Sequence, residues 1–100
     1  MAEIVWRPRA VRQLGQIFDY IQQHSPSAAA RYVSELRHAC EQLGQFPEKA
    51  PQYNERYRAL VYRNHLVFYR FAREDDKVLV IAILDARRDV PAILRNLKDR

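Results

Sequence analysis

The densest group of chemically capable side chains lies in residues 56–73, RYRALVYRNHLVFYRFAR. It carries Arg56, Arg58, Arg63, Arg70 and Arg73, with no acid among them. Tyr57, Tyr62, Phe68, Tyr69 and Phe71 are interleaved. Guanidiniums for phosphates and aromatic rings for bases are the tools of single-stranded RNA recognition. The same pattern also describes a strand with its aromatics in the core and its arginines reaching to the rims. A second group, Asp85-Ala86-Arg87-Arg88-Asp89, directly follows the most apolar run. Charges at the end of a central strand stand at a rim, where binding groups are commonly placed. Two acids beside two guanidiniums can equally pair with each other, and Asp89 can serve as a helix cap.

Such a set invites comparison with a metal-independent ribonuclease. That chemistry needs a base for the ribose 2′-OH, cations for the phosphorane and an acid for the leaving oxygen. Arg70, Arg87 and Arg88 could supply the cation. The base and the acid are poorly provided, because no His follows His65 and Asp85 or Glu48 would need a shifted pKa. Tyr69 is the remaining candidate. His24, His38 and His65 are not at ligand spacing, and Cys40 is the single cysteine. No metal site and no internal disulfide are therefore expected. The chain has no GxGxxG, GxxxxGK[ST], HExxH or GxSxG, so no cofactor is expected either.

Composition bounds the rest. A chain of 100 residues, 48% hydrophobic and 29% charged, reads as one globular domain over residues 1–100. Seventeen basic against twelve acidic residues leave a net charge of +5. Fourteen of the bases are arginines, whose planar fork suits carboxylates and phosphates. RNA, DNA or an acidic protein is the natural partner for that balance, and an incidentally basic surface is the competing account. The longest apolar run, Val78 to Leu84, is far too short for a membrane span. The opening MAEIVWRPRA has no apolar signal core, so a cytoplasmic location is expected.

These groups must be positioned by a few elements. Glu3-Ile4-Val5-Trp6 predicts a short strand. Val11, Leu14, Ile17, Phe18 and Ile21 then recur at the spacing of a helix with one buried face. Ser25 as cap and Pro26 at the first helical position open a second helix. Its stripe is Ala29, Val33, Leu36, Cys40 and Leu43, and Gly44 with Phe46-Pro47 stops it. The short junction favours an antiparallel helical hairpin. Residues 48–56 read as a loop. Tyr57–Tyr62, His65–Phe71 and Lys77–Leu84 read as strands, joined by turns at Arg63-Asn64 and Glu74-Asp75-Asp76. The unbroken VLVIAIL run predicts a central strand buried on both faces. The hairpin can cover only one of them. A short helix capped by Asp89, with Val90, Ile93, Leu94 and Leu97 as its apolar patch, can cover the other, with a partner chain sharing that work. The expected fold is α+β: β-α-α-β-β-β, a helical hairpin on a small, mostly antiparallel sheet, and a short C-terminal helix.

Four segments carry a family signature: Trp6-Arg7-Pro8-Arg9-Ala10 with Leu14 and Ile17; Asp19-Tyr20-Ile21 with Ser25-Pro26 and the Ala-rich start of the second helix; Leu43 with Phe46-Pro47; and His65-Leu66-Val67-Phe68-Tyr69-Arg70 followed by Ile83-Leu84-Asp85-Ala86-Arg87-Arg88-Asp89. In this order and spacing they resemble the ParE/RelE superfamily of bacterial type II toxin–antitoxin toxins, over nearly the whole chain. The resemblance implies the same β-α-α-β-β-β fold. It also implies a split by target. RelE-like members cut messenger RNA on the ribosome, whereas ParE-like members lack the nuclease set and poison DNA gyrase. Leu66 stands where many nuclease members carry a strand arginine. Arg87-Arg88-Asp89 runs into a terminal helix where nucleases tend to place a catalytic His or Tyr. Asp85 is a departure, since family members often have His there. The resemblance therefore implies a ParE-like gyrase inhibitor with no catalytic residue, neutralised by a cognate antitoxin whose C-terminal arm adds apolar cover to the hairpin and sheet. Arg70, Arg87 and Arg88, with Tyr69 and Asp85 beside them, are the expected rim for target or antitoxin. The alternatives are a RelE-like ribosome-dependent mRNA endonuclease using those same residues, and an inactive member that only binds its antitoxin.

Overall fold

A computed structural model describes residues 1–97. Lys98, Asp99 and Arg100, which the single-domain reading includes, lie outside the described residues. The elements are β1 (Glu3–Trp6), α1 (Pro8–Gln22), α2 (Pro26–Glu41), β2 (Arg58–Tyr62), β3 (His65–Ala72), β4 (Lys77–Asp85) and α3 (Val90–Arg95). Two single 3-10 turns join them, Gln42–Gly44 after α2 and Arg73–Asp75 before β4. The predicted strands, helices and turns all form, with one end each of β2, β3 and β4 displaced by a residue and Leu43 in the 3-10 turn rather than in α2. Local chemistry explains the breaks. Ser25 Oγ accepts from Ala28 N at 3.2 Å and Pro26 follows, which caps α2. Asp89 Oδ1 accepts from Ala92 N at 3.2 Å and caps α3 in the same way.

The four strands form one sheet in the order β1-β4-β3-β2. β1 runs parallel to β4, and the other pairings are antiparallel. β4 is thus a central strand, and its apolar run is buried on both faces. One face packs against the helical hairpin: Val67, Tyr69, Val78, Val80 and Ile83 meet Ala10, Leu36 and Cys40. The other face meets α3: Phe68, Ala82 and Leu84 pack with Val90, Leu94 and Leu97. The short terminal helix therefore does supply the second cover.

β4 changes phase part-way along. Phe68 pairs with Ala82 but Tyr69 pairs with Val80, which leaves Ile81 as the extra residue of a β-bulge. Val78 and Val80 point to the hairpin; Ile81 and Ala82 both point to α3; Ile83 returns to the hairpin. The bulge re-aims the end of the strand, so that Ile83 and Asp85 open toward the helices.

The hairpin is less buried than its stripes suggest. Ala29, Leu36 and Cys40 of α2 are fully buried, as is Ala10 of α1. Leu14 and Ile17 are only partly covered, and Val11 is 54% exposed. The α1 stripe, expected as one buried face, is thus only partly covered: Val11 faces outward, because α2 and the sheet together cover only one side of that helix. Burial also pushes the Cys40 thiol up to about 12, with Glu41 adding to the shift. It is a neutral core group.

Candidate functional site

The two larger concavities bordered by the hairpin concern function. The first is a groove on its outer side, about 510 Å³, between α1 and α2. Val11, Leu14, Phe18 and Val33 give it an apolar floor, and Asp19 and Arg37 stand among its lining residues. Gly15 lies in the middle of it, and a Cβ placed there would meet nothing within 4 Å. A glycine inside an exposed helix costs roughly 1 kcal/mol relative to alanine, and here it opens a notch where another chain can approach.

The second is a cleft of about 540 Å³ where α1 and the start of α2 meet the end of β4. Ile17, Ile21 and Ile83 form its apolar part. Gln13 Oε1 accepts from Ile83 N at 2.7 Å, pinning α1 to the strand. Tyr32 from α2 meets His65 from β3, with the phenol oxygen 2.7 Å from Nδ1. Burial holds the His65 pKa below its ordinary value, against the opposing pull of Asp85 and with Arg87 adding to the lowering. The imidazole is therefore neutral near pH 7. Burial, then the neighbouring Tyr62, raises Tyr32.

At the mouth of this cleft the chain leaves β4 through a turn built on Asp85. Asp85 Oδ1 accepts from Arg87 N at 2.9 Å and from Arg87 Nε at 3.0 Å, while Oδ2 accepts from Nη2 at 2.7 Å. This fork is the internal ion pair that the alternation of charges allowed. The Arg87 side chain, then its backbone amide, holds the Asp85 carboxyl well below the usual carboxylate range. Ala86 N donates to Asn64 O at 2.8 Å, which ties the turn to the β2–β3 corner. Arg88 lines the same cleft.

The predicted rim is not one site. Arg87, Arg88 and Asp85 are together. Arg70 is exposed on β3 opposite Leu79, six residues along β4 from Asp85, a separation of about 20 Å at strand rise. It belongs to a smaller hollow of about 200 Å³ with Arg56, Arg58, Arg73 and Glu48. There Glu48 pairs with Arg73 and, at 3.5 Å, with Arg58. Tyr69 is fully buried. Its hydroxyl donates to Pro47 O at 2.8 Å and accepts from Ala50 N at 3.3 Å, so it fastens the 47–50 loop to the sheet. The aromatic half of the residue 56–73 pattern is core: Tyr57, Phe68 and Tyr69 are buried, and Tyr62 and Phe71 pack against the hairpin-side cluster. They are not a stacking platform for bases. Tyr69→Phe is expected to cost about 1–3 kcal/mol, because Ala50 N and Pro47 O lose their buried partner. Chemical denaturation reads this directly, and an unchanged midpoint would refute the anchoring role.

Residue-by-residue reading of the sequence weighed His65 but missed its pairing with Tyr32, which lies 33 positions away and meets it only in three dimensions. It also passed over Gly15, although a glycine inside an amphipathic helix is itself a signal.

The family model described as "ParE toxin of type II toxin-antitoxin system, parDE" matches residues 4–90. The chain belongs to the ParE family. A curated relative, Toxin RelE2 of Caulobacter vibrioides, is 36% identical over 88 residues, spanning 88% of this chain and 99% of the relative. A chain of the chromosomal ParDE system from P. aeruginosa superposes with a TM-score of 0.75 at 18% identity, over 87% of this chain and 98% of that one. The isolated E. coli RelE toxin superposes with a TM-score of 0.61 at 14% identity, over 97% and 100%. These two likenesses establish the α+β fold. The chain is thus a toxin of a type II toxin–antitoxin system, and membership implies a cognate antitoxin. Among the described residues no helix of this ParE-family chain is long and apolar enough to cross a membrane, and no three metal-ligating side chains converge.

Proposed function

We propose that this toxin acts by binding, as an inhibitor of DNA gyrase, and that its antitoxin neutralises it by laying an amphipathic arm in the groove beside Gly15. The observation that carries this reading is the dispersal of the nuclease candidates. Tyr69 is committed to the core, Arg70 stands about 20 Å from Asp85 along the sheet, and Asp85 is fixed as an anion by Arg87. An ionised, doubly bonded carboxylate neither delivers nor takes a proton near neutral pH. Leu66, at the strand position where the resemblance implies an arginine in many nuclease members, packs against the cluster under α3. The apolar groove suits the apolar side of a helix, and Arg37 in its lining suits an acidic residue on that helix.

Pulse labelling after induction in bacteria tests the target. DNA synthesis is expected to fall first, with protein synthesis spared, and purified gyrase is expected to lose supercoiling activity. An early fall in protein synthesis would overturn the gyrase reading in favour of ribosome-dependent mRNA cleavage. Absence of any growth defect, with the antitoxin still bound tightly, would mark an inactive member instead. The double substitution Arg87→Ala with Arg88→Ala is expected to weaken toxicity at least tenfold in inducer titration. Both side chains are solvent-facing, so the melting temperature should move by no more than about 2 °C. Full toxicity from the folded double variant would remove the turn from the target surface.

A further inference from the structure

We propose that the cleft between α1, Tyr32 and the Asp85–Arg88 turn is a binding site for a nucleoside monophosphate. Its size, about 540 Å³, falls in the range of small-ligand sites, about 300–1,000 Å³. Its chemistry is divided as such a ligand is divided. The inner part is apolar and aromatic: Ile17, Ile21 and Ile83 with the rings of Tyr20 and Tyr32. Tyr20 is 67% exposed at the open side of this surface, where its ring offers a face that a flat ligand can cover.

Around that surface stand planar groups that offer both donors and acceptors. Gln13 accepts from Ile83 N through Oε1, which leaves its NH₂ for the cleft. Gln16 and Asn64 add two more amides, and His65 adds Nε2, since Nδ1 is taken by Tyr32. Side-chain amides match the edges of nucleobases, which present a donor beside an acceptor. A simple apolar ligand would leave all these groups unpaired, at a cost.

The outer part is cationic. Arg87 uses Nε and Nη2 on Asp85, which leaves Nη1 free to donate outward. The Arg88 side chain has no ion-pair partner among the described residues and lines the same mouth. The one acid in the lining, Asp85, is already neutralised by Arg87. An anionic group can therefore sit at the mouth without meeting an uncompensated carboxylate, and a phosphate suits two guanidiniums. This site is on the hairpin side of the sheet end, separate from the groove assigned to the antitoxin, and its mouth shares Arg87 and Arg88 with the turn assigned above to the target.

Titration of the isotope-labelled 100-residue chain by NMR tests the proposal, with four probes: adenosine 5′-monophosphate, adenosine, inorganic phosphate and N-acetyltyrosine. The nucleotide is expected to bind at least tenfold more tightly than any of the other three. Its shift changes should centre on Tyr20, Tyr32, Asn64, His65 and Arg88. Arg88→Ala is expected to weaken the nucleotide at least fivefold and leave adenosine unchanged, while Gln16→Ala weakens both. Phosphate binding as tight as the nucleotide would mean a simple anion site and overturn the proposal. Equal binding of N-acetyltyrosine would mean a pocket for a peptide's aromatic anchor, and would also overturn it. So would no saturable shift at millimolar nucleotide in the folded wild-type chain.

Discussion

Gly15→Trp is expected to leave the toxin folded and to lower its affinity for the antitoxin at least 100-fold, about 2.7 kcal/mol. The reasoning is steric. Open space lies above Gly15, and Val11, Leu14, Phe18 and Val33 surround it. An indole would lie down on this apolar floor and occupy the volume a partner's side chains need. Central, well-packed anchors of that kind carry 2 kcal/mol or more of an interface's energy. The fold should not suffer, because tryptophan is a better helix former than glycine and a Cβ at this position meets nothing within 4 Å. Co-purification and calorimetric titration with the cognate antitoxin give the affinity, and thermal melting gives the control. Undiminished capture of a folded variant would show that the arm docks elsewhere.

The second glycine behaves in the opposite sense. Gly44 lies in the 3-10 turn after α2, and Ala2 N donates to its carbonyl at 2.8 Å, fastening the chain just before β1. A Cβ on Gly44 would lie 2.7 Å from Ala2 O, a backbone atom that cannot swing aside. Gly44→Ala is expected to cost about 1–3 kcal/mol by overpacking. At about 4–8 °C per kcal/mol for a domain of this size, the melting temperature should fall by roughly 10 °C. Gly15→Ala should instead raise stability by about 0.5–1 kcal/mol. If Gly44→Ala melts at the wild-type temperature, the start of β1 is free to shift and the close approach is not a constraint.

The pairing of these glycines shows where reading a sequence reaches its limit. Both are helix-breaking residues in the line of residues. Only the neighbours decide that one lies under open space and the other under a carbonyl. The same holds for the arginine-rich segment. Its alternation with aromatics was plain, and so was the choice between a base-stacking face and a core with basic rims. The structure selects the core, since Tyr57, Phe68 and Tyr69 are enclosed by the sheet's two covers. Yet no local pattern could separate Arg70 from Arg87 and Arg88, because strand direction places residues close in a signature at opposite ends of a sheet.

What the sequence determined by itself is what short-range physics determines: strand and helix periods, the Ser25 and Asp89 caps, the turns, the twice-covered central strand and the four-segment signature of the family. Those follow from side-chain spacing and backbone preference within a few residues. The tertiary structure alone decided which side chains share a site. The bulge at Ile81 is hidden in VLVIAIL because every residue there is apolar, so no alternation marks the change of phase. That one extra residue turns Ile83 and Asp85 toward the hairpin, where His65 and Tyr32 complete the cleft. Side chains that meet across 33 positions do so through packing of separate elements, and packing is a property of the whole core rather than of any segment within it.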